Sequence, residues 1–221
     1  MKKRLLLIRH AQSQANAQGV IQGWLDSPLS DAGHYHAQCL GTRLATEFEV
    51  AKIFVSPLSR AVETAAHLGQ ALKAPVTYYG CLKERNLGPL TGLTKQEVRQ
   101  KYPQVERAWV NNLPRPPLIG AEDDDAFARR VQLAVDAVLD QTEPDTTVAV
   151  VSHGGTLNQM LKNWLNISRM GRLTFSFSNS SLTIVDVYAT YIRLNLLNDT
   201  SHLGVAHADR STAYTQGRYP R

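Results

Sequence analysis

Three short apolar runs in this chain end in chemically similar ways. Residues 5–8 (LLLI) lead into Arg9, His10 and Ala11. Residues 52–55 (KIFV) lead into Ser56, Pro57, Leu58, Ser59 and Arg60. Residues 147–151 (TVAVV) lead into Ser152, His153, Gly154 and Gly155. Taken singly, an arginine or histidine at a strand end is ordinary solvated surface, and Ser-Pro-x-x-Arg is only a helix start. Three such endings in one chain carry more weight. In open α/β sheets, ligands sit beyond the carboxyl ends of the strands. Parallel strands would therefore collect Arg9, His10, Arg60 and His153 at one edge. Two guanidiniums and two imidazoles repel one another unless an anion lies among them, and planar arginine forks match phosphate oxygens. Ser56 before Pro57 predicts a helix capped by Ser56 with Pro57 at its first position, which puts Arg60 in the first or second turn. Gly154 and Gly155 predict a strand-to-helix turn with free backbone N–H groups beside His153.

The elements that must position these residues are legible as two periods. Strands are expected at Arg4–Ile8, Lys52–Val55, Val76–Tyr79, Thr147–Val151, Leu182–Tyr188 and Tyr191–Leu197. The first, second and fourth are continuous apolar runs, as in parallel strands covered on both faces. Helices are expected over Ser30–Phe48, where Leu40, Leu44 and Phe48 recur at spacing four. They are also expected over Asp123–Leu139 (Phe127, Val131, Ala134, Val135, Val138) and Thr156–Leu165 (Leu157, Met160, Leu161, Trp164). Alternation of strand and helix predicts an α/β fold, a three-layer α/β/α sandwich with a mostly parallel sheet. Ala189 and Thr190 separate the last two of the six strands as a hairpin, so the sheet should be mixed. Residues 102–121 hold four prolines and read as a long irregular excursion, the kind of segment that often binds or covers a ligand.

Composition narrows the function classes. A chain of 221 residues, 43% hydrophobic and 19% charged, suits one soluble globular domain. That domain is expected over residues 1–206, followed by a flexible basic C-terminal tail over 207–221. The net charge of +5 would suggest nucleic acid if it formed a patch. It lies instead at the ends, in Lys2, Lys3, Arg4 and Arg9 and in Arg210, Arg218 and Arg221, so nucleic-acid binding is not expected. The apolar stretch at residues 5–8 is too short for a signal peptide or a membrane span, and a cytoplasmic location is the default. Cys39 and Cys81 form no C-x-x-C pattern and are expected to be free thiols.

Several segments, in order, resemble the histidine phosphatase superfamily, in its phosphoglycerate-mutase-like branch. RHAQSQAN (9–16) is similar to its nucleophile signature R-H-G-x-[ST]-x-x-N, and IQGWLDSPLSDAG (21–33) to the segment that follows. SPLSRAVETA (56–65), LKERNLGPLTG (82–92) and VSHGG (151–155) resemble its later motifs, and NDTSHL (198–203) its usual chain end. The resemblance implies that His10 attacks phosphorus, that Arg9, Arg60 and His153 bind the equatorial oxygens, and that Glu84 serves as general acid and base. It implies a substrate site lined by Arg9, His10, Asn16, Gln22, Gly23, Arg60, Glu84, His153 and Gly154, with no metal and no cofactor. By itself Glu84, between Lys83 and Arg85, reads as a solvated surface residue. Two positions depart from the pattern. Ala11 stands where the family has glycine, and glycine tolerates a positive φ that alanine does not adopt freely. In GAEDDD (120–125), Glu122 fits a family motif but is followed by three acids, which also suit a first helical turn. Glu122 is expected only to support the site.

The implied activity is phosphomonoesterase, with a small phosphorylated metabolite as substrate. The separation of His10 and His153 is short for a cofactor-dependent phosphoglycerate mutase, and residues 93–121 lack an arginine- and tyrosine-rich segment. The mutase is the alternative, followed by an inactive domain that binds phosphorylated ligands. A metal hydrolase built on His34 and His36 is disfavoured, because His-x-His on a helix splays the two rings. The leaving group should be read by residues 17–27 and 102–121, where Trp24, Tyr102, Trp109 and Arg115 are candidates. The sequence leaves the substrate and the oligomeric state, monomer or homodimer, open.

Overall fold

A computed structural model describes residues 1–111, 113–167 and 174–204. The tail expected over 207–221 lies outside the described residues. The sheet has six strands: β1 (Lys2–Arg9), β2 (Lys52–Val55), β3 (Val76–Tyr78), β4 (Thr147–Ser152), β5 (Leu182–Tyr188) and β6 (Ile192–Asp199). Their order is β3-β2-β4-β1-β5-β6. β3, β2, β4 and β1 run parallel, and β5 and β6 are antiparallel, as expected for a mixed sheet.

Successive side chains of a strand point to opposite faces, and β1 shows what this does. Leu5 and Leu7 enter one core with Val131, Val135, Leu157 and Leu161. Leu6 and Ile8 enter a second core with Leu40, Leu44, Ala61 and Leu68. The first core is covered by α6 (Asp124–Asp140) and α7 (Gly154–Trp164). The second is covered by α2 (Asp31–Glu47) and α3 (Ser59–Leu72). A strand buried on both faces thus needs apolar residues at every position, which is why LLLI carries no alternation. The chain leaves β1 toward α2 on one face and leaves β4 toward α7 on the other. The crevice between adjacent β1 and β4 is therefore a topological switch point, where ligands of such sheets bind.

Two expectations are corrected. Part of the 102–121 excursion is helical. α4 (Lys95–Lys101) starts with a capping box between Thr94 and Glu97, and α5 (Pro103–Val110) follows directly. Pro103 occupies the helix start, where its missing N–H costs nothing. The other prolines, Pro114, Pro116 and Pro117, do lie in irregular chain. Tyr102 and Trp109 pack with Leu90, Val98 and Val105 in a small separate core, so they support the excursion rather than the site. The second correction concerns α3. It begins at Ser59 with Leu58 as its N-cap residue, not at Pro57. Asp26 supplies the cap from outside: its carboxylate accepts from Ser59 N (2.8 Å) and Ser59 Oγ (2.7 Å). Ser56 is engaged elsewhere, as follows. The remaining helix, α1 (Gln14–Ala17), is a single turn. Cys39 and Cys81 are free thiols.

Candidate active site

Backbone register brings the three strand ends together. Arg9 pairs with Ser152, and Val55 pairs with Val151. His10 N donates to Ser152 O (2.9 Å) and Ser56 N to Val151 O (3.1 Å). His10 and His153 are thereby side by side, with ring centroids 5.1 Å apart. Arg60 reaches them from the first turn of α3. Arg9, His10, Arg60 and His153 are thus gathered as expected.

His10 is 3% exposed. Its Nδ1 lies 2.7 Å from Ala11 O, and a carbonyl can only accept, so Nδ1 carries the proton and Nε2 carries the lone pair. Burial, then the charges of Arg60 and Arg9, hold its pKa well below the ordinary histidine value. The ring is therefore neutral at physiological pH and has a free basic nitrogen, which is what a nucleophile needs. His153 is fully buried and is pushed in the same direction by burial, then by Arg60 and His10. Its Nδ1 accepts from Arg60 Nε (3.3 Å), and its Nε2 lies 2.7 Å from Ser56 Oγ. Ser56 thus orients an imidazole, a role the helix-cap reading missed.

Arg60 is 1% exposed. Besides His153, its guanidinium holds the carbonyls of Leu25 (2.8 Å) and Gly23 (2.9 Å). Burial pulls its pKa down to about 10, against opposing pulls from Glu84 and Asp26, which leaves it cationic at neutral pH. Gly23 has φ +49°, and a Cβ there would stand 3.1 Å from Leu87 and 3.2 Å from Arg85 O. Both conformation and space demand glycine. Arg9 Nη1 donates to Phe177 O, and Gly154 lies against the Arg9 side chain.

Asn16 Oδ1 accepts from Ser13 N (3.2 Å) and Asn179 Nδ2 (3.2 Å), so its amide nitrogen is the end suited to donate to an anion. Asn179 Nδ2 also lies 3.0 Å from His10 O. Asn179 steadies two site residues at once and was not found by sequence reasoning. The run SNSS (178–181), a polar stretch before β5 that is buried throughout, was the available signal. Gln22 is buried and accepts from Ser13 Oγ (2.9 Å).

Glu84 is brought to the same edge by the chain after β3. Its carboxylate accepts from Arg85 N (2.7 Å) and Gly155 N (3.0 Å). The N–H at Gly155, expected to be free, is thus taken by Glu84. A Cβ at Gly155 would overlap the Glu84 carboxylate, so this glycine provides room for an acid. Trp24 Nε1 donates to Glu84 O (2.6 Å), and Lys83 Nζ sits 4.8 Å from the Trp24 ring centroid. Trp24 is therefore at the site, whereas Arg115 bonds Glu122 O (3.1 Å). Glu122 pairs with Arg130 (2.7 Å) behind the Glu84 segment.

Ala11 causes no strain. Its φ is not positive, and it is fully buried against Leu29 and Ala37. Its N–H donates to Thr64 Oγ1 (3.0 Å). Ala11→Gly is expected to cost about 0.5–1 kcal/mol through added chain freedom and to leave turnover unchanged. Thermal melting and steady-state kinetics on the purified variant check both halves.

His34 and His36 do not act together. His34 Nδ1 meets His67 Nε2 (3.0 Å) across α2 and α3, while His36 is buried. Among the described residues no group of three metal-ligating side chains could hold an ion, and no helix is long and apolar enough to cross a membrane.

The family model of the histidine phosphatase superfamily (branch 1) matches residues 5–200. Phosphoserine phosphatase 1 of Hydrogenobacter thermophilus is 30% identical over 210 residues, covering 95% of this chain and 99% of its own length. A 2,3-bisphosphoglycerate-dependent phosphoglycerate mutase of Brucella ovis is 31% identical over 168 residues, 73% of this chain and 81% of its own. Among solved structures, Bacillus stearothermophilus YhfR superposes with a TM-score of 0.81 at 28% identity, covering 90% of this chain and 98% of that one.

Proposed function

Because the chain belongs to the histidine phosphatase superfamily, we propose that it is a metal-independent phosphomonoesterase acting through a phosphohistidine on His10. The observation that carries this reading is the pairing of a neutral, buried His10, its Nε2 lone pair free, with the guanidinium cations of Arg60 and Arg9. Nε2 attacks phosphorus in line with the ester oxygen. The P–O bond breaks as the N–P bond forms, and Glu84 gives its proton to the departing alkoxide. Arg9, Arg60, His153 and the Asn16 amide hold the equatorial oxygens, where charge must be stabilised. A bound phosphate dianion also favours a second proton on His153, so that Nδ1 donates to phosphate in place of accepting from Arg60 Nε. Glu84, now a carboxylate, takes a proton from the water that attacks phosphorus, and the N–P bond breaks as the new P–O bond forms, returning the lone pair to His10 Nε2. Inorganic phosphate leaves, and His10 and Glu84 return to their starting states.

A phosphatase is favoured over a mutase because the phosphoserine phosphatase relative aligns over 95% of the chain and the mutase over 73%. Phosphoserine is the first metabolite to test. The protein in EDTA is expected to release phosphate from p-nitrophenyl phosphate at mildly acidic to neutral pH, and from phosphoserine within a panel of sugar phosphates, phosphoglycerates and α-ribazole phosphate. Strict dependence on added metal would sink the phosphohistidine mechanism. Efficient conversion of 3-phosphoglycerate to 2-phosphoglycerate with 2,3-bisphosphoglycerate present would establish the mutase instead.

A further inference from the structure

Arg130 lies on α6, and its guanidinium is bound to the segment that carries Glu84. Nη1 donates to Cys81 O (2.8 Å) and Lys83 O (2.9 Å). Nη2 donates to Glu84 O (3.2 Å) and Glu122 Oε2 (2.7 Å), and Nε to Glu122 Oε1 (2.8 Å). A guanidinium has five N–H donors, and here all five have acceptors. Three of those acceptors are backbone carbonyls of residues 81–84.

Glu122 extends the same frame to the other side of Glu84. Its N–H donates to Asn86 O (2.9 Å), its carboxylate accepts from Asn86 N (3.2 Å), and its carbonyl accepts from Arg85 Nη2 (2.9 Å). Arg85 and Arg130 both lie over the Phe127 ring, 5.3 and 5.2 Å from its centroid. The side chains of Arg130 and Glu122 are only 17% and 13% exposed. An exposed ion pair would hold little, but this one is enclosed and bidentate, and it fixes backbone on both sides of one carboxylate.

We propose that Arg130 is the positioning residue of the general acid: through the carbonyls of residues 81–84 it holds Glu84 on the leaving-group oxygen, and it binds neither phosphate nor leaving group. The inference rests on reading Glu84 as the acid. A proton donor must sit within hydrogen-bond reach of the oxygen it serves, and displacement by about 1 Å can cost on the order of 10²-fold in rate. The loss should grow with the basicity of the leaving group, since a stable phenolate departs without a proton and an alkoxide does not.

The test compares kcat/KM for p-nitrophenyl, phenyl and β-glycerol phosphates, because this parameter covers steps only through formation of the phosphoenzyme. Arg130→Lys and Arg130→Gln should lose roughly 10–100-fold on β-glycerol phosphate, an intermediate factor on phenyl phosphate, and less than about threefold on p-nitrophenyl phosphate. Inhibition by inorganic phosphate should be unchanged. Glu122→Gln, which weakens the frame and leaves Arg130 in place, should show the same slope more weakly and serves if the Arg130 variants do not fold. An equal loss on all three esters, a loss of phosphate affinity, or no loss at all would overturn the proposal. Glu84→Gln is the reference. If it slows all three esters equally, the reading of Glu84 as acid fails. If it shows the slope and the Arg130 and Glu122 variants do not, only the role of Arg130 fails.

Discussion

His10→Ala is expected to abolish hydrolysis of every phosphate ester, by roughly 10⁴-fold or more, as loss of a covalent nucleophile does elsewhere. It should do so without unfolding the protein. The ring of His10 hydrogen-bonds through Nδ1 to the adjacent Ala11 carbonyl, a contact that ties no distant elements together. The strand is fixed instead by its backbone, through Ser152 O and Asn179. Removal of an imidazole that burial and the charges of Arg60 and Arg9 keep neutral leaves a polar pocket open to water, not a dry cavity. Melting should shift little. Phosphate should still bind competitively, because Arg9, Arg60 and His153 remain. Wild-type protein quenched during turnover should carry acid-labile phosphate on histidine, and the variant should carry none. Activity near wild type in His10→Ala would remove His10 as the nucleophile, whatever the family resemblance implies.

Arg9, His10 and His153 were legible because they stand at strand ends, and Arg60 because it follows β2 by one short turn; strands of this type are visible as unbroken apolar runs. A period of two with both faces buried leaves no room for polar residues inside the strand. The first polar residues beyond it are therefore placed by the sheet itself, to within the register that pairs Arg9 with Ser152. Glu84 had no such signal. It follows a 3₁₀ turn (Gly80–Leu82) after the short edge strand β3, and only its resemblance to a motif set it apart from Lys83 and Arg85. Arg130 was missed for a related reason. It stands three residues after Phe127 and one before Val131, on the margin of the buried stripe of α6, where arginines usually reach solvent. What gives it a function is the loop packed against that margin, and no periodicity within α6 encodes a loop some fifty residues earlier. Ser56 and Pro103 show the reverse error. Each has a strong local preference, one for capping and one for breaking. The structure uses Ser56 for His153 and Pro103 to start a helix. Local propensity is a weak prior when a tertiary partner offers a better bond.

Arg60→Lys is expected to lower kcat/KM by about 10²–10³-fold, the range for loss of one preorganised donor at developing charge. Charge is not what the variant lacks, since lysine keeps it. Arg60 is placed so that one planar fork serves three neighbours, Gly23 O, Leu25 O and His153 Nδ1, with N–H groups on both terminal nitrogens still able to meet phosphate. An ammonium is a point charge on a flexible stem and cannot hold that geometry. The change should therefore act on two levels. Phosphate loses a bidentate partner, and residues 22–26 lose the anchor that ties them to α3, leaving buried carbonyls that cost about 1–3 kcal/mol each when unpaired. Trp24 lies in that segment and bonds Glu84 O, so the damage should reach the acid as well and depress kcat in addition to raising KM. Arg9→Lys provides the contrast, because Arg9 donates to Phe177 O whereas the Leu25 and Gly23 carbonyls are held by Arg60. Amide hydrogen exchange over residues 22–26 should accelerate in Arg60→Lys and remain slow in Arg9→Lys. If Arg60→Lys keeps kcat/KM within about threefold of wild type while those amides exchange faster, Arg60 is a loop anchor alone and the phosphate is held by Arg9 and His153. Loss of activity with exchange unchanged would show that the 22–26 segment stands without it, and that the fork matters only at the phosphate.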